Sequence, residues 1–356
     1  MDNIDRKADA GKKAHIDRNL LFLISEDARA KVKDLSRQLR KSQPRLLYNL
    51  KGYMKSGLIT YPHCIFDYSY FGLLLFRVYF KGGYVGEKDK ESIIKKLVDN
   101  PYIVSIYEFN GEFDLAIDIE SPNPSRFNKE LKRVAELVPT LNNYKIILNL
   151  VTHIYPRTYL PLSKKMVLVQ EGEIIVGGDR EVQQFSGSEM EIMKNLLASP
   201  RITYTDLAKN SCMNVKTARS VFRNLQKRKL IKGFKFDIDT NALGISRVRL
   251  FLGLHNLSVE RENQLVDYML RVPEIVRANK TVGDWDMEID MESDDKTRIR
   301  TVTLQIRETF KDLIEEFNMI EFYKYYKRSY LPGYLFMKDA PAGETAQKQT
   351  SLESFK

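Results

Sequence analysis

The segment VKTARSVFRNLQKRKLI, starting at Val215, sets Ala218, Phe222 and Leu225 at the i, i+4, i+7 spacing of a buried helix face, with Val221 beside them. Lys216, Thr217, Arg219, Ser220 and Arg223 are then expected on the outer face, with Lys227 one turn on. A guanidinium can bond in two places to guanine O6 and N7 or to a phosphate, an ammonium meets phosphate, and hydroxyls bond to either. The chemistry on offer is that of a nucleic-acid contact. An earlier segment, QPRLLYNLKGYMKSGLI from Gln43, presents Arg45, Tyr48 and Lys51 at matching places. Leu47 stands where the later helix has Arg219, which removes one base-reading or phosphate contact. The earlier helix is therefore expected to be the weaker or less selective reader.

No comparable constellation points to catalysis. Cys64 and Cys212 give neither a disulfide framework nor zinc-ligand spacing, and four scattered histidines leave little for a metal centre. No Gly-rich phosphate loop, HExxH or GxSxG occurs. The acidic pairs Glu112/Asp114 and Asp284/Asp286 have no nucleophile or cation-binding cluster near them in sequence. The expectation is a protein that is not an enzyme and uses no cofactor or metal.

The elements that must position the two basic helices come from an internal duplication. A shift of 172 residues lays GEFDLAIDIES (111–121) on GDWDMEIDMES (283–293), Arg29 on Arg201, Asp67 on Asp239, Gly72 on Gly244 and Pro101 on Pro273. One register spanning so many separated matches marks a repeated module. Each copy opens with helical periodicity and a helix-turn-helix, capped at the last helix by Ser42 in the first copy and Asn214 in the second. Each then alternates strand and helix in the order β-α-β-β-α-β of a ferredoxin-like sandwich. In copy one the central hairpin is expected to turn at Asn110-Gly111, since both residues tolerate positive φ. The fold class is thus α+β, with two winged helix-turn-helix domains, each followed by a ferredoxin-like domain, in tandem. The expected boundaries are a basic tail at 1–14, helix-turn-helix domains at 15–66 and 187–238, and sandwiches at 67–160 and 239–336. A linker at 161–186 holds a small hairpin over 166–178, and a disordered tail occupies 337–356.

Charge singles out the helical pieces. The chain carries 57 Lys/Arg against 47 Asp/Glu, net +10, with a pI near 9.2. Residues 15–66 hold ten basic against four acidic side chains, and 187–236 hold eleven against three, so the remainder is net acidic. A lone basic run is usually a solvated face. Two copies with the same excess, each on a helix-turn-helix, favour double-stranded DNA. With 43% hydrophobic residues, real cores are available. No apolar run approaches the roughly 18 residues of a membrane span, and the N-terminus MDNIDRKADAGKKA is not a secretory signal. A cytoplasmic, nucleoid-associated protein with no membrane contact is expected.

A helix-turn-helix followed by β-α-β-β-α-β resembles the leucine-responsive (Lrp/AsnC) family of prokaryotic transcription regulators. The resemblance rests on SEDARAKVKDLS and LASPRITYTDLA before the turn, GLI and KLI after the recognition helix, and Gly-x-Phe/Trp-Asp in the hairpin. It covers both copies nearly end to end and implies a DNA-binding transcription regulator, archaeal or bacterial. Family members carry one module per chain and pair through their sheets, so two fused modules imply an intrachain pseudo-dimer or a homodimer. Two recognition helices would then face half-sites one helical turn, roughly 34 Å, apart. The family's effector, often an amino acid, lies near the Gly-x-aromatic-Asp loop. That implicates Gly111, Phe113 and Asp114, and Gly283, Trp285 and Asp286. The same residues equally suit a plain hairpin turn, with Gly for backbone geometry and the aromatic for packing. Two-module proteins similar to this family include sirohaem decarboxylases with a histidine-rich central strand. Here those strands read YIVSIYEF and EIVRANKT, without histidine, and His153 and His255 do not correspond across the repeat.

The C-terminal QTSLESFK resembles a sliding-clamp (PCNA) interaction box: Gln349, Leu352 and Phe355 have its Q-x-x-L-x-x-F spacing, while Lys356 replaces the usual second aromatic. One helical turn would put Leu352 and Phe355 on one side to fill an apolar pocket. An architectural or replication-associated DNA-binding protein is accordingly the alternative to a promoter regulator.

Overall fold

The computed structural model describes residues 16–82, 86–162, 172–255 and 258–337. The basic tail at 1–14 and the clamp-box residues Gln349, Leu352 and Phe355 lie outside them. Copy one begins with α1 (Arg18–Glu26), α2 (Val32–Leu39), α3 (Gln43–Lys55) and β1 (Ile59–Phe66). It continues with β2 (Leu74–Phe80), α4 (Glu87–Val98), β3 (Ile103–Asn110), β4 (Leu115–Ser121), α5 (Pro124–Leu137) and β5 (Tyr144–Ile154). After the short β6 (Ile174–Gly177), copy two repeats the course. Its helix-turn-helix is α6 (Gly187–Ala198), α7 (Tyr204–Asn210), α8 (Val215–Lys227) and β7 (Ile231–Ile238). Its sandwich is β8 (Ser246–Leu254), α9 (Val259–Leu270), β9 (Ile275–Val282), β10 (Met287–Ser293), α10 (Lys296–Thr309) and β11 (Ile314–Arg328). No helix among the described residues is long and apolar enough to cross a membrane.

The duplication extends to the backbone. Positive φ recurs 172 residues apart at Arg40 and Cys212 (52° and 51°), Gly57 and Lys229 (76° and 60°), Gly72 and Gly244 (67° and 71°), and Gly111 and Gly283 (137° and 153°). Left-handed backbone is costly for a residue with a Cβ, so the turns of the two copies, not only their side chains, are held in common. Local capping differs. Asn214 accepts from the Thr217 N–H as expected, whereas Ser42 occupies the cap position of α3 without a side-chain cap bond. The hairpin also corrects the sequence reading. Asn110 is the last residue of β3 and only Gly111 has positive φ, so the connection runs through four residues, Gly111 to Asp114, rather than a two-residue turn.

Within each sandwich the final strand lies beside the first, giving the orders β5-β2-β4-β3 and β11-β8-β10-β9. Both final strands then run on into the other copy. β5 pairs with β2 through 144–149 and with β9 through 148–154, while β11 pairs with β8 through 314–321 and with β3 through 321–328. All these pairings are antiparallel, and together they close eight strands into a ring. The expected linker hairpin is not what Ile174–Gly177 forms. That strand pairs with Val151–Ile154 of β5, and residues 163–171 lie outside the described ones.

Helices cover the outside of the ring, and its inside is part aromatic, part ionic. Tyr79, Tyr107, Phe109, Phe113, Phe251, Trp285 and Phe322 form one buried cluster drawn from both copies. Beside it, Arg77 holds Asp118 at 2.7 and 3.1 Å, and its repeat partner Arg249 holds Asp290 at 2.6 and 2.9 Å. Glu288 joins the two pairs. It accepts from Arg77, from Tyr79 Oη (2.6 Å), from Asn279 (3.0 Å) and from Trp285 Nε1 (3.2 Å), and lies 3.5 Å from Arg249. Guanidiniums this deeply buried are tolerable only because carboxylates meet them. The first copy has Ala116 at the position equivalent to Glu288, so one carboxylate serves both halves. Replacing it leaves each arginine its own aspartate but takes the buried acceptor away from Arg77, Tyr79, Asn279 and Trp285 together. Glu288→Ala should lower the unfolding free energy by about 3–5 kcal/mol, read from the denaturant midpoint of the full chain. Loss below about 1 kcal/mol would mean the two halves do not share this group.

Candidate nucleic-acid interface

The two helix-turn-helix units clasp each other. β1 and β7 pair antiparallel, with Ile59 opposite Ile238 and Cys64 opposite Phe234. Arg29 of copy one donates to the carbonyl oxygens of Pro200 (2.6 Å) and Ile202 (2.9 Å) in copy two. Its guanidinium lies over the rings of Tyr204, Phe222 and Phe234 at 5.8, 5.4 and 5.1 Å. Phe222 is the core anchor of α8, and it meets Tyr204 edge-on and Phe234 face-to-face. The recognition helix of one copy is thereby packed against an arginine of the other.

α8 presents the face that its spacing predicts. Ala218, Phe222 and Leu225 are buried, while Lys216, Thr217, Arg219, Ser220, Arg223 and Lys227 are exposed. Arg219 lies over the Tyr204 ring at 5.1 Å, which fixes the stem of one prospective contact while leaving its side chain outward. In α3, Leu46, Leu50 and Tyr53 are buried, and Arg45, Leu47, Tyr48 and Lys51 are exposed, with Tyr48 79% exposed. An apolar Leu47 facing solvent where copy two has Arg219 keeps the two helices chemically unequal.

The charge count needs amendment. Arg228 is bound to Glu189 and Gln183, Lys232 lies 3.1 Å from Asp67, and Lys235 is buried against Glu26. These cations serve the interior. Exposed Lys194, Lys209 and Lys229 add to the outer set, and sequence spacing did not single them out.

The Gly-x-aromatic-Asp loops sit at the far end of the ring. Phe113 is fully buried and Trp285 nearly so, both in the shared aromatic cluster. The Asp114 carboxylate accepts from Gly82 N–H, and Asp286 accepts from Leu254 N–H at 2.7 Å. Both aspartates therefore tie the hairpin to the end of a neighbouring strand. A Cβ on Gly283 would come within 2.7 Å of Ile147 Cδ1 and 3.1 Å of the Ile146 carbonyl oxygen, and one on Gly111 within 3.3 Å of Ile320. Of the six residues expected at an effector site, only Trp285 lines the adjoining cavity of about 380 Å³. The polar groups there are ones that sequence reasoning did not assign. Lys145 pairs with Asp284 at 2.5 Å and lies 5.7 Å over the Trp285 ring. Glu112, held below its ordinary range by Lys81 and bonded by Asn318, completes the opposite wall.

Residues 13–60 match the winged helix-turn-helix DNA-binding family. The HTH-type transcriptional regulator FL11 of Pyrococcus horikoshii is 24% identical over 153 residues, 42% of this chain and 95% of that protein. Its namesake in Pyrococcus furiosus is 23% identical over 127 residues, 34% of this chain and 80% of that protein. Each regulator is thus matched over most of its own length by less than half of this chain, as a chain of two such modules requires. Among solved structures, the siroheme decarboxylase NirDL is similar over 89% of this chain and 93% of its own, with a TM-score of 0.54 and 12% identity. That likeness is one of fold, and it spans both modules at once.

Proposed function

We propose that this chain is a sequence-selective, double-stranded DNA-binding transcription regulator whose two recognition helices, α3 and α8, read one duplex unequally. The observation that carries the reading is the outer face of α8. Six polar or basic side chains stand exposed along a helix whose opposite side is locked into a winged helix-turn-helix core. The intrachain pairing of β1 with β7, and of both sandwiches in one ring, supports a pseudo-dimer within a single chain. Half-sites about one helical turn apart and an imperfect palindrome follow from that reading. No catalytic role is assigned. β3 and β9 carry no histidine, and the fold shared with a decarboxylase fixes no chemistry.

Selection of bound sites from random DNA, followed by anisotropy titration, tests the reading. Arg219→Ala with Arg223→Ala should weaken binding to the selected site by more than about tenfold, since each bidentate contact contributes about 1–3 kcal/mol. Lys51→Ala in copy one should cost less. Equal losses from the two copies would overturn the asymmetry, and no enrichment of any sequence would overturn selectivity.

An amino-acid effector in the 380 Å³ cavity is a second element of the proposal, supported by paired cation and carboxylate groups beside an apolar ring. Trp285 is the only tryptophan, so its emission reports directly on that cavity. Asp286→Ala should keep DNA affinity and lose about 1 kcal/mol of stability with the Leu254 bond, whereas Asp284→Ala, in the cavity wall, should abolish any ligand-induced change in emission. If a screen of free amino acids moves neither emission nor DNA affinity, the effector is removed.

The alternative of clamp-coupled work rests on Gln349, Leu352 and Phe355. A peptide of the last dozen residues should bind the host's sliding clamp and lose binding on Phe355→Ala. No binding at high micromolar concentration would dismiss it.

A further inference from the structure

Where the wing strands meet the ring, a small cavity of about 20 Å³ is lined by five cationic side chains and no carboxylate. Arg157 follows β5, Lys235 comes from β7, Arg247 from β8, Arg277 from β9 and Arg328 from the end of β11; His63 of β1 and Tyr330 also line it, with Ile154, Tyr155 and Val276 as the remaining wall. All five cations are more than nine-tenths buried by side chain or by residue. Three carboxylates back them. Glu26 meets Lys235 and Arg157, Glu292 meets Arg157 at 2.9 Å and Arg247 at 3.3 Å, and Asp237 meets Arg328. Asp290, which Arg249 holds on both oxygens, adds a fourth at 3.8 Å from Arg247.

Arg277 is the member that this arrangement leaves over. Its recorded bond is to Tyr330 Oη at 3.1 Å, and among the described residues no carboxylate reaches it within ion-pair distance. Two other lining side chains, His63 and Arg328, each keep one buried nitrogen without a hydrogen-bond partner. Burial pushes His63 down to about 3, and Arg328, Lys235 and Arg277 reinforce that shift against Asp237. An uncompensated guanidinium in such a place is expensive, and a water molecule brings hydrogen bonds but no charge. The space suits one small species, since about 10–15 Å³ by this measure already holds a water.

We propose that this cavity binds a single monatomic anion, chloride in a cell, which neutralises the excess cation and fastens the helix-turn-helix pair to the ring. The site draws on both wing strands, through His63 and Lys235, and on the ring through Arg247, Arg277 and Arg328. A ligand that binds only the folded chain raises its stability with the logarithm of ligand concentration once above its dissociation constant.

The test uses the full chain at constant ionic strength, with chloride exchanged against gluconate, which is too large to enter. Tm should climb steadily with chloride, bromide should substitute, and gluconate alone should give the lowest value. Arg277→Met removes the unpaired charge while keeping the length of the stem, so its Tm should no longer depend on chloride. Crystals of the unaltered protein grown in bromide should show an anomalous peak among Arg157, Arg277 and Arg328. That measurement decides the matter even if the variant fails to fold. Identical Tm in chloride and gluconate, or a site occupied by water without anomalous signal, would overturn the proposal.

Discussion

β5 and β11 each belong to two sheets at once, and that double membership constrains the rest of the molecule. Neither sandwich can complete its hydrogen bonding alone, because half of each final strand is paired with the opposite copy. Closing the ring removes the exposed edges that two separate four-stranded sheets would offer. It also creates an inner face that must be filled. The filling is large aromatics at one end and arginine–carboxylate pairs at the other, both contributed by the two halves together. The helix-turn-helix units then sit over the ionic end, so their mutual clasp through Arg29 and β1–β7 rests on a rigid base.

Fusion has let the halves diverge inside this shared frame. Glu288 has Ala116 as its counterpart. Glu292 is bonded by Arg157 and Tyr159, whereas among the described residues no cation pairs with its counterpart Glu120, which burial beside Asp118 and Asp67 pushes well above its ordinary range. Leu47 against Arg219 is the same divergence at the outer surface. In each case one copy holds the interacting group and the other accommodates its absence.

Much of this was legible in the sequence, for identifiable reasons. The face of α8 follows from a 3.6-residue period with three well-spaced apolar residues, and the burial of Ala218, Phe222 and Leu225 agrees residue by residue. The repeat register located four pairs of turns, because Arg40, Gly57, Gly72 and Gly111 share positive φ with Cys212, Lys229, Gly244 and Gly283 at the same offset. Tertiary pairing was not legible. Nothing in ITYPHCIF announces that its partner strand lies 172 residues away, since strand pairing across modules depends on how sheets close. Nothing in the sequence singled out Arg77 and Arg249, yet ring closure buries both almost completely. Counting charge by segment likewise could not separate Arg228, Lys232 and Lys235, which face inward, from Arg219 and Arg223, which face out. The Gly-x-aromatic-Asp loops show the opposite failing. A family position drew attention to side chains that largely hold the fold, while the cavity is lined by Asp284, the motif's unspecified position, and by Lys145, which lies outside the motif.

Two identical subunits related by a twofold axis look the same from either direction along a duplex. This chain does not, because Leu47 and Arg219 occupy equivalent places on α3 and α8 and both helices belong to one polypeptide. Its heads cannot be exchanged, re-paired or diluted apart. On the proposed reading, the chain seated on DNA would have a defined heading, with two unlike recognition helices in fixed order. A neighbouring protein would meet different surfaces on its two flanks, so the same molecule bound in reversed orientation would be a different signal.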